Sequence, residues 1–206
     1  MEIKQIGYDK FSIIVFENVY NKDELDLVWQ ETNFLCHEHK LYPADIVGSA
    51  LEEDGSPKKK NKGIWLDDAF KKGISNYLRL YKCIVDVMDS NRDTFVKNDI
   101  NLKLFYHTNM DSTLLSYYED KDYYKAHHDE SCYTLVYYLF KEPKKFTGGD
   151  LTFTEIDQKV NINSNMAILF PSWIDHEVDK ITMPDNVERY KSNGRFCFST
   201  FFAMRY

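Results

Sequence analysis

From Ser112 onward the chain breaks into short runs dense in Thr, Tyr, Phe, Val and Ile, and this rhythm constrains its fold more than any other feature. STLLSYY, CYTLVYYLF, DLTFTEI, MAILF and RFCFSTFFAMRY are separated by turn chemistry at Glu119-Asp120-Lys121-Asp122, Gly148-Gly149-Asp150 and Asn161 to Asn165. Branched and aromatic side chains suit a pleated surface, whereas Gly, Asn and Asp supply the turn conformations between strands. Many such strands in series predict a β-sandwich or jelly roll.

The first half reads differently. Phe11 to Phe16 (FSIIVF) predicts a strand. Asn21 ahead of Lys22-Asp23-Glu24-Leu25 is an N-cap with an acidic first turn, so a helix is expected to run to about Asn33. Residues 52–63, EEDGSPKKKNKG, predict a polar, mobile loop whose lysine run is solvated. Phe70, Ile74, Tyr77, Leu78, Tyr81, Ile84, Val85 and Met88 recur at three and four residues and predict one long helix. The expectation is a single α+β, mainly β domain, with residues 1–110 as helical and strand support for a β core over 111–206.

The composition, 43% hydrophobic and 16% aromatic over 206 residues, suits a packed core and argues against disorder. A net charge of −7 disfavours nucleic acid and anionic membrane as partners, because phosphate binding normally needs a positive field. Cys36, Cys83, Cys132 and Cys197 form no CxxC pair and read as reduced thiols. With no apolar leader in MEIKQIGYDKF and no long apolar run, a soluble, cytoplasmic protein is expected.

Chemistry concentrates in Tyr123-Tyr124-Lys125-Ala126-His127-His128-Asp129. In an extended segment side chains alternate, so His127 and Asp129 share a face and His128 turns away. His176 follows an apolar strand and a turn, where it could supply a third ligand. Two imidazoles and one carboxylate on one face of a metal leave three positions open, the facial triad of non-haem Fe(II) oxygenases. His-x-Asp alone is a weak signal. Its setting is specific: a Tyr-rich strand, His-x-Asp, an apolar strand, Gly-Gly-Asp, another strand, Phe-Pro-Ser, His-Glu-Val and a terminal basic strand.

Over residues 112–205 this order resembles the 2-oxoglutarate/Fe(II) dioxygenases of the prolyl 4-hydroxylase-like group, and more weakly at Gly63-Ile64-Trp65-Leu66, which looks like the strand after that group's lid loop. The resemblance implies a double-stranded β-helix (jelly roll) core with buttressing N-terminal helices. It implies Fe(II), 2-oxoglutarate and O2, with ascorbate as an optional reductant. It also implies decarboxylation of 2-oxoglutarate to succinate coupled to hydroxylation. Arg195 matches the basic residue that holds the distal carboxylate, a role suited to a planar guanidinium that stays charged when buried. Tyr117, ten residues before His127, and Tyr138 match tyrosines that reach the cosubstrate. Alternation along the last strand adds Ser199 to the Arg195 face. Tyr124, Phe201 and Trp65 are expected to face substrate. Two departures stand out: the gap from His176 to Arg195 is long, which makes Arg189 a rival, and Cys197 stands where the family often has Ser or Thr.

A peptidyl residue, proline first, is the expected substrate. A free amino acid, small metabolite or nucleobase is the alternative within the same chemistry. From other classes, a zinc hydrolase would need Glu130 or Glu177 as general base, and a degenerate jelly-roll binding module would need no chemistry. Cys36, His37 and His39 lack a further ligand pair at zinc spacing and read as surface residues.

Overall fold

The structure is a computed structural model and describes every residue except Asp9, Lys72 and Tyr206. Thirteen strands are described: β1 (Glu2–Gly7), β2 (Ser12–Glu17), β3 (Tyr42–Pro43), β4 (Lys59–Lys60), β5 (Lys62–Trp65), β6 (Met110–Tyr118), β7 (Tyr123–His127), β8 (Tyr133–Leu139), β9 (Leu151–Phe153), β10 (Gln158–Val160), β11 (Met166–Pro171), β12 (His176–Val178) and β13 (Arg195–Ala203). The helices are α1 (Lys22–His37), α2 (Ala44–Val47), α3 (Leu66–Ala69), α4 (Asn76–Leu80), α5 (Lys82–Ser90) and α6 (Arg92–Asn98).

One sheet has the order β1-β2-β11-β8-β13-β6-β5-β3 and the other β10-β9-β12-β7-β4. From β6 onward the chain alternates between them: β6, β8, β11 and β13 join the large sheet, and β7, β9–β10 and β12 the small one. That alternation makes the double-stranded β-helix, the jelly roll expected from the strand rhythm.

Period-two alternation serves two cores. On the outer face of the large sheet, Tyr117, Phe196 and Phe198 pack with Val28, Leu35 and Tyr77 from the helices. On its inner face, Tyr118, Val136, Tyr138 and Cys197 meet Leu151, Phe153 and Ile174 in the space between the sheets.

Helix α1 starts as expected. Asn21 Oδ1 accepts from Glu24 N at 3.1 Å and Glu24 Oε2 accepts from Asn21 N at 3.0 Å, a reciprocal capping box. It runs on to His37, past the expected end, because Leu35 and Cys36 are buried.

Two expectations need correction. The long helix from Asp67 to Met88 is interrupted. Phe70 is extended, Ile74 is exposed, and α4 begins only at Asn76. The cause is tertiary: buried Glu31 of α1 accepts from Ser75 Oγ at 2.8 Å and Asn76 N at 2.5 Å, while Ser75 Oγ caps Leu78 N. A capping residue and Gly73 both disfavour continuing the helix. Nor is 52–63 one loop. A tight turn at Glu52–Ser56, closed by Glu52 N to Ser56 O at 2.8 Å, leads into β4 on β7 and β5 on β6. Lysines at a sheet edge mimic loop composition because charge there blocks edge-to-edge pairing.

Candidate active site

Strand β7 ends at His127, and β12 begins at His176, its direct partner across the ladder. Asp129 lies just beyond β7, held by its N–H on the Ser172 carbonyl at 2.9 Å. Among the described residues these three form the one group of His, Cys, Asp or Glu side chains whose ligand atoms converge, all within 4.8 Å of one another. Each imidazole Nδ1 lies 2.9 Å from a carbonyl, Lys125 for His127 and Ile174 for His176. A carbonyl only accepts, so Nδ1 carries the proton and Nε2 keeps its lone pair. Both Nε2 atoms are 3.7 Å from Asp129 oxygens. Burial, reinforced by His176, pushes the His127 pKa down to about 2, so the ring is neutral and competent to ligate.

The carboxylate is itself oriented. Thr134 Oγ1 donates to Asp129 Oδ2 at 2.7 Å, and Thr134, Ser172 and Ser131 continue in a hydroxyl chain with contacts of 2.8 and 2.6 Å. Tyr124 stacks on His127 with ring centroids 3.5 Å apart, and its hydroxyl accepts from Ala50 N at 3.0 Å. Such outer partners fix ligand geometry and tune metal affinity.

The triad opens into a cavity of about 720 Å³ between the sheets. Its large-sheet wall carries Tyr118, Tyr138, Arg195 and Ser199, with Trp65 and Phe201 further along. Arg195 is fully buried. Its Nη1 donates to the Gly149 carbonyl, and its guanidinium lies over Tyr118 and Tyr138 at 4.4 and 5.4 Å. Among the described residues its Nε and Nη2 have no hydrogen-bond partner. A buried guanidinium with idle donors on a cavity wall suits a carboxylate, and two imidazoles beside a carboxylate suit Fe(II). The residues present therefore fit both groups.

Two glycines make room. Gly149 turns at φ +77°, and at Gly194, beside Arg195, a Cβ would sit 2.1 Å from the Tyr118 carbonyl.

Of the residues singled out from sequence, Tyr117 does not line this cavity. Arg195 pairs with Tyr118 and Phe196 with Tyr117, so Tyr117 shares the helix-facing side and stacks on Phe196 at 4.4 Å. Its hydroxyl donates to buried Glu119 at 2.8 Å and accepts from Gly194 N at 3.0 Å. Tyr118 takes the inward position instead. Arg189 also lies outside the cavity, donating to the Val187 carbonyl at 2.7 Å. Cys36 is buried and His37 pairs with Ser192 at 3.3 Å, with no converging third ligand among the described residues.

Lys59 was hidden in a lysine run, and no sequence signal separates it from its neighbours. It is only 5% exposed and lines the cavity. Burial pulls its pKa down to about 8, opposed by Cys197 and Asp129, so the ammonium is still largely charged at neutral pH.

Residues 113–202, a stretch that holds His127, Asp129, His176 and Arg195, match the 2OG-Fe(II) oxygenase superfamily; the match indicates a dioxygenase-type oxidoreductase, and that superfamily implies Fe(II) and 2-oxoglutarate. Among solved structures, a Pseudomonas putida prolyl-4-hydroxylase superposes with a TM-score of 0.61 at 16% identity, covering 94% of this chain and 93% of that one. The 2-oxoglutarate complex of a viral collagen prolyl hydroxylase from Paramecium Bursaria Chlorella virus-1 gives 0.50 at 12% identity over 92% and 94%. A 2OG-Fe(II) oxygenase family oxidoreductase from Burkholderia pseudomallei gives 0.52 at 12% over 93% and 84%. These identities speak to the shared jelly-roll fold. No curated protein matches the chain. Among the described residues no helix is long and apolar enough to cross a membrane.

Proposed function

We propose that the chain is a single-domain hydroxylase in which His127, Asp129 and His176 hold Fe(II), Arg195 takes the distal carboxylate of 2-oxoglutarate, and the substrate is a peptidyl residue, proline first. One observation carries the reading: idle guanidinium donors of a fully buried arginine in the same cavity as the His-Asp-His group. When bound, the metal and cosubstrate would supply the redox chemistry, with O2 as the oxidant and 2-oxoglutarate giving up two electrons as it becomes succinate. The protein's own residues bind and orient. Thr134 fixes Asp129, Gly149 aims Arg195, and Tyr138 and Tyr118 wall the guanidinium from water. Low dielectric around Arg195 strengthens its hold on a carboxylate. Tyr124, Trp65 and Phe201 provide the apolar surface beside which a substrate ring would lie.

A zinc hydrolase is disfavoured because Glu177 alternates away from His176 along β12 and Glu130 is exposed. The test is anaerobic titration of the protein with Fe(II) and 2-oxoglutarate, followed by succinate release against a peptide library. Uptake of both, with succinate formation driven by proline-containing peptides, is the expected result. Uptake without any peptide response would move the substrate to the free amino acids.

A further inference from the structure

We propose that Lys59 is the counter-ion for a carboxylate on the primary substrate, so that this site selects an acidic substrate. The proposal deepens the functional reading above and rests on it for where metal and cosubstrate sit.

Lys59 projects from β4 at the edge of the small sheet, opposite the large-sheet wall that carries Arg195. Its register partner on β7 is Tyr124, whose ring lies 5.3 Å from Nζ. Among the described residues Nζ has no ion-pair or hydrogen-bond partner. Neighbouring cavity charges are otherwise engaged or remote. Lys58 Nζ donates to the Ala126 carbonyl at 2.9 Å, Asp175 pairs with His128 at 3.2 Å, and Glu130 is exposed. Asp129 belongs to the triad and already accepts from Thr134. Partly withdrawing an ammonium from water without a partner is unfavourable, and an anion delivered beside it would relieve that.

Charge balance favours the substrate as the source of that anion. With the groups of the proposed function in place, the metal's two positive charges and the Arg195 guanidinium are cancelled by Asp129 and the 2-oxoglutarate dianion. Lys59 is left over. A carboxylate entering beside Tyr124 would neutralise it. An acidic side chain next to the reacting residue of a peptide, or the free carboxylate of an amino acid, would each supply this group.

The experiment is calorimetric binding to protein loaded with Mn(II) and 2-oxoglutarate, which leaves the substrate unconverted. The probes are acid–amide pairs: an end-capped proline peptide with Glu beside the proline against its Gln twin, and L-proline against L-prolinamide. For wild type, the acid member of one pair is expected to bind about tenfold to a hundredfold more tightly than its amide, the range of a buried charged hydrogen bond. The pair that shows it identifies the source. That preference should vanish in Lys59→Met and survive in Lys59→Arg. Equal binding of acid and amide in both pairs overturns the proposal, as does a preference that persists in Lys59→Met. So does a Lys59→Met protein whose 2-oxoglutarate affinity falls by the same factor, because the ammonium would then serve the cosubstrate. If wild type takes up neither Mn(II) nor 2-oxoglutarate, the functional reading fails. The same acid–amide comparison on the bare protein then judges Lys59 by itself.

Discussion

His127 and His176 are direct partners across the β7–β12 ladder, with ring centroids 4.3 Å apart and each Nδ1 on the carbonyl two residues earlier. Two neighbouring strands of one sheet thus deliver two imidazoles in the same tautomer to the same point. Only the carboxylate has to come from a loop, and Thr134 and the Ser172 carbonyl tie it down.

Replacing His127, Asp129 or His176 with Ala should abolish Fe(II) uptake and succinate formation. His128→Ala should leave both intact, because that exposed ring pairs with Asp175 and does not converge with the three ligands. Thr134→Val should weaken metal affinity about tenfold to a hundredfold by freeing the carboxylate. Anaerobic metal titration of the five proteins reads this, and wild-type iron affinity in His176→Ala would remove the triad.

Arg195→Ala should raise the dissociation constant of 2-oxoglutarate by at least about a hundredfold, since a buried carboxylate left unpaired costs about 3–5 kcal/mol. Arg189→Ala should be neutral, its guanidinium being engaged with backbone carbonyls outside the cavity. A larger loss in Arg189→Ala would reverse the assignment. Calorimetry on both variants decides it.

Tyr117→Phe should cost about 1–3 kcal/mol of stability, because the Glu119 carboxylate and the Gly194 N–H each lose a partner out of water. The affinity for 2-oxoglutarate should hold, since the ring faces the helices. Urea unfolding and cosubstrate binding, measured on the same preparation, separate the two effects. A large loss of cosubstrate affinity with unchanged stability would return Tyr117 to the site.

Lys59→Met should stabilise the metal-free protein at pH 7 by on the order of 1–3 kcal/mol. Burial lowers the folded-state pKa from 10.5 to about 8, so the charging penalty is fully present below that value. Between there and the unfolded pKa the unfolded chain binds more protons, and wild-type stability rises with pH. The advantage of the variant should therefore shrink as pH approaches about 10. Urea curves at the two pH values test the sign, and a gap that widened with pH would contradict it.

Much of the fold and part of the site could be read along the chain, for local reasons. The β13 alternation correctly grouped Arg195, Ser199 and Phe201 against Phe196 and Phe198, because strand periodicity is a property of the backbone. The Asn21 capping box marked the start of α1 for the same kind of reason. The β7 strand brought His127 to its end, with Asp129 two residues on.

What lay beyond the sequence depends on which strand meets which. Tyr117 and Tyr118 are adjacent and alike, and only the β6–β13 register, Arg195 against Tyr118, decides which ring enters the cavity. A strand's own alternation defines two faces without saying which one points inward. The break after α3 was written in Glu31, more than forty residues away, whose carboxylate takes Ser75 and the Asn76 N–H. Lys59 looks like its neighbours Lys58 and Lys60 until the β4–β7 pairing buries it beside Tyr124. Local chemistry set the residue types and the strand faces of this protein. Long-range pairing decided which of those faces and charges meet, because burial and register are properties of two segments and never of one.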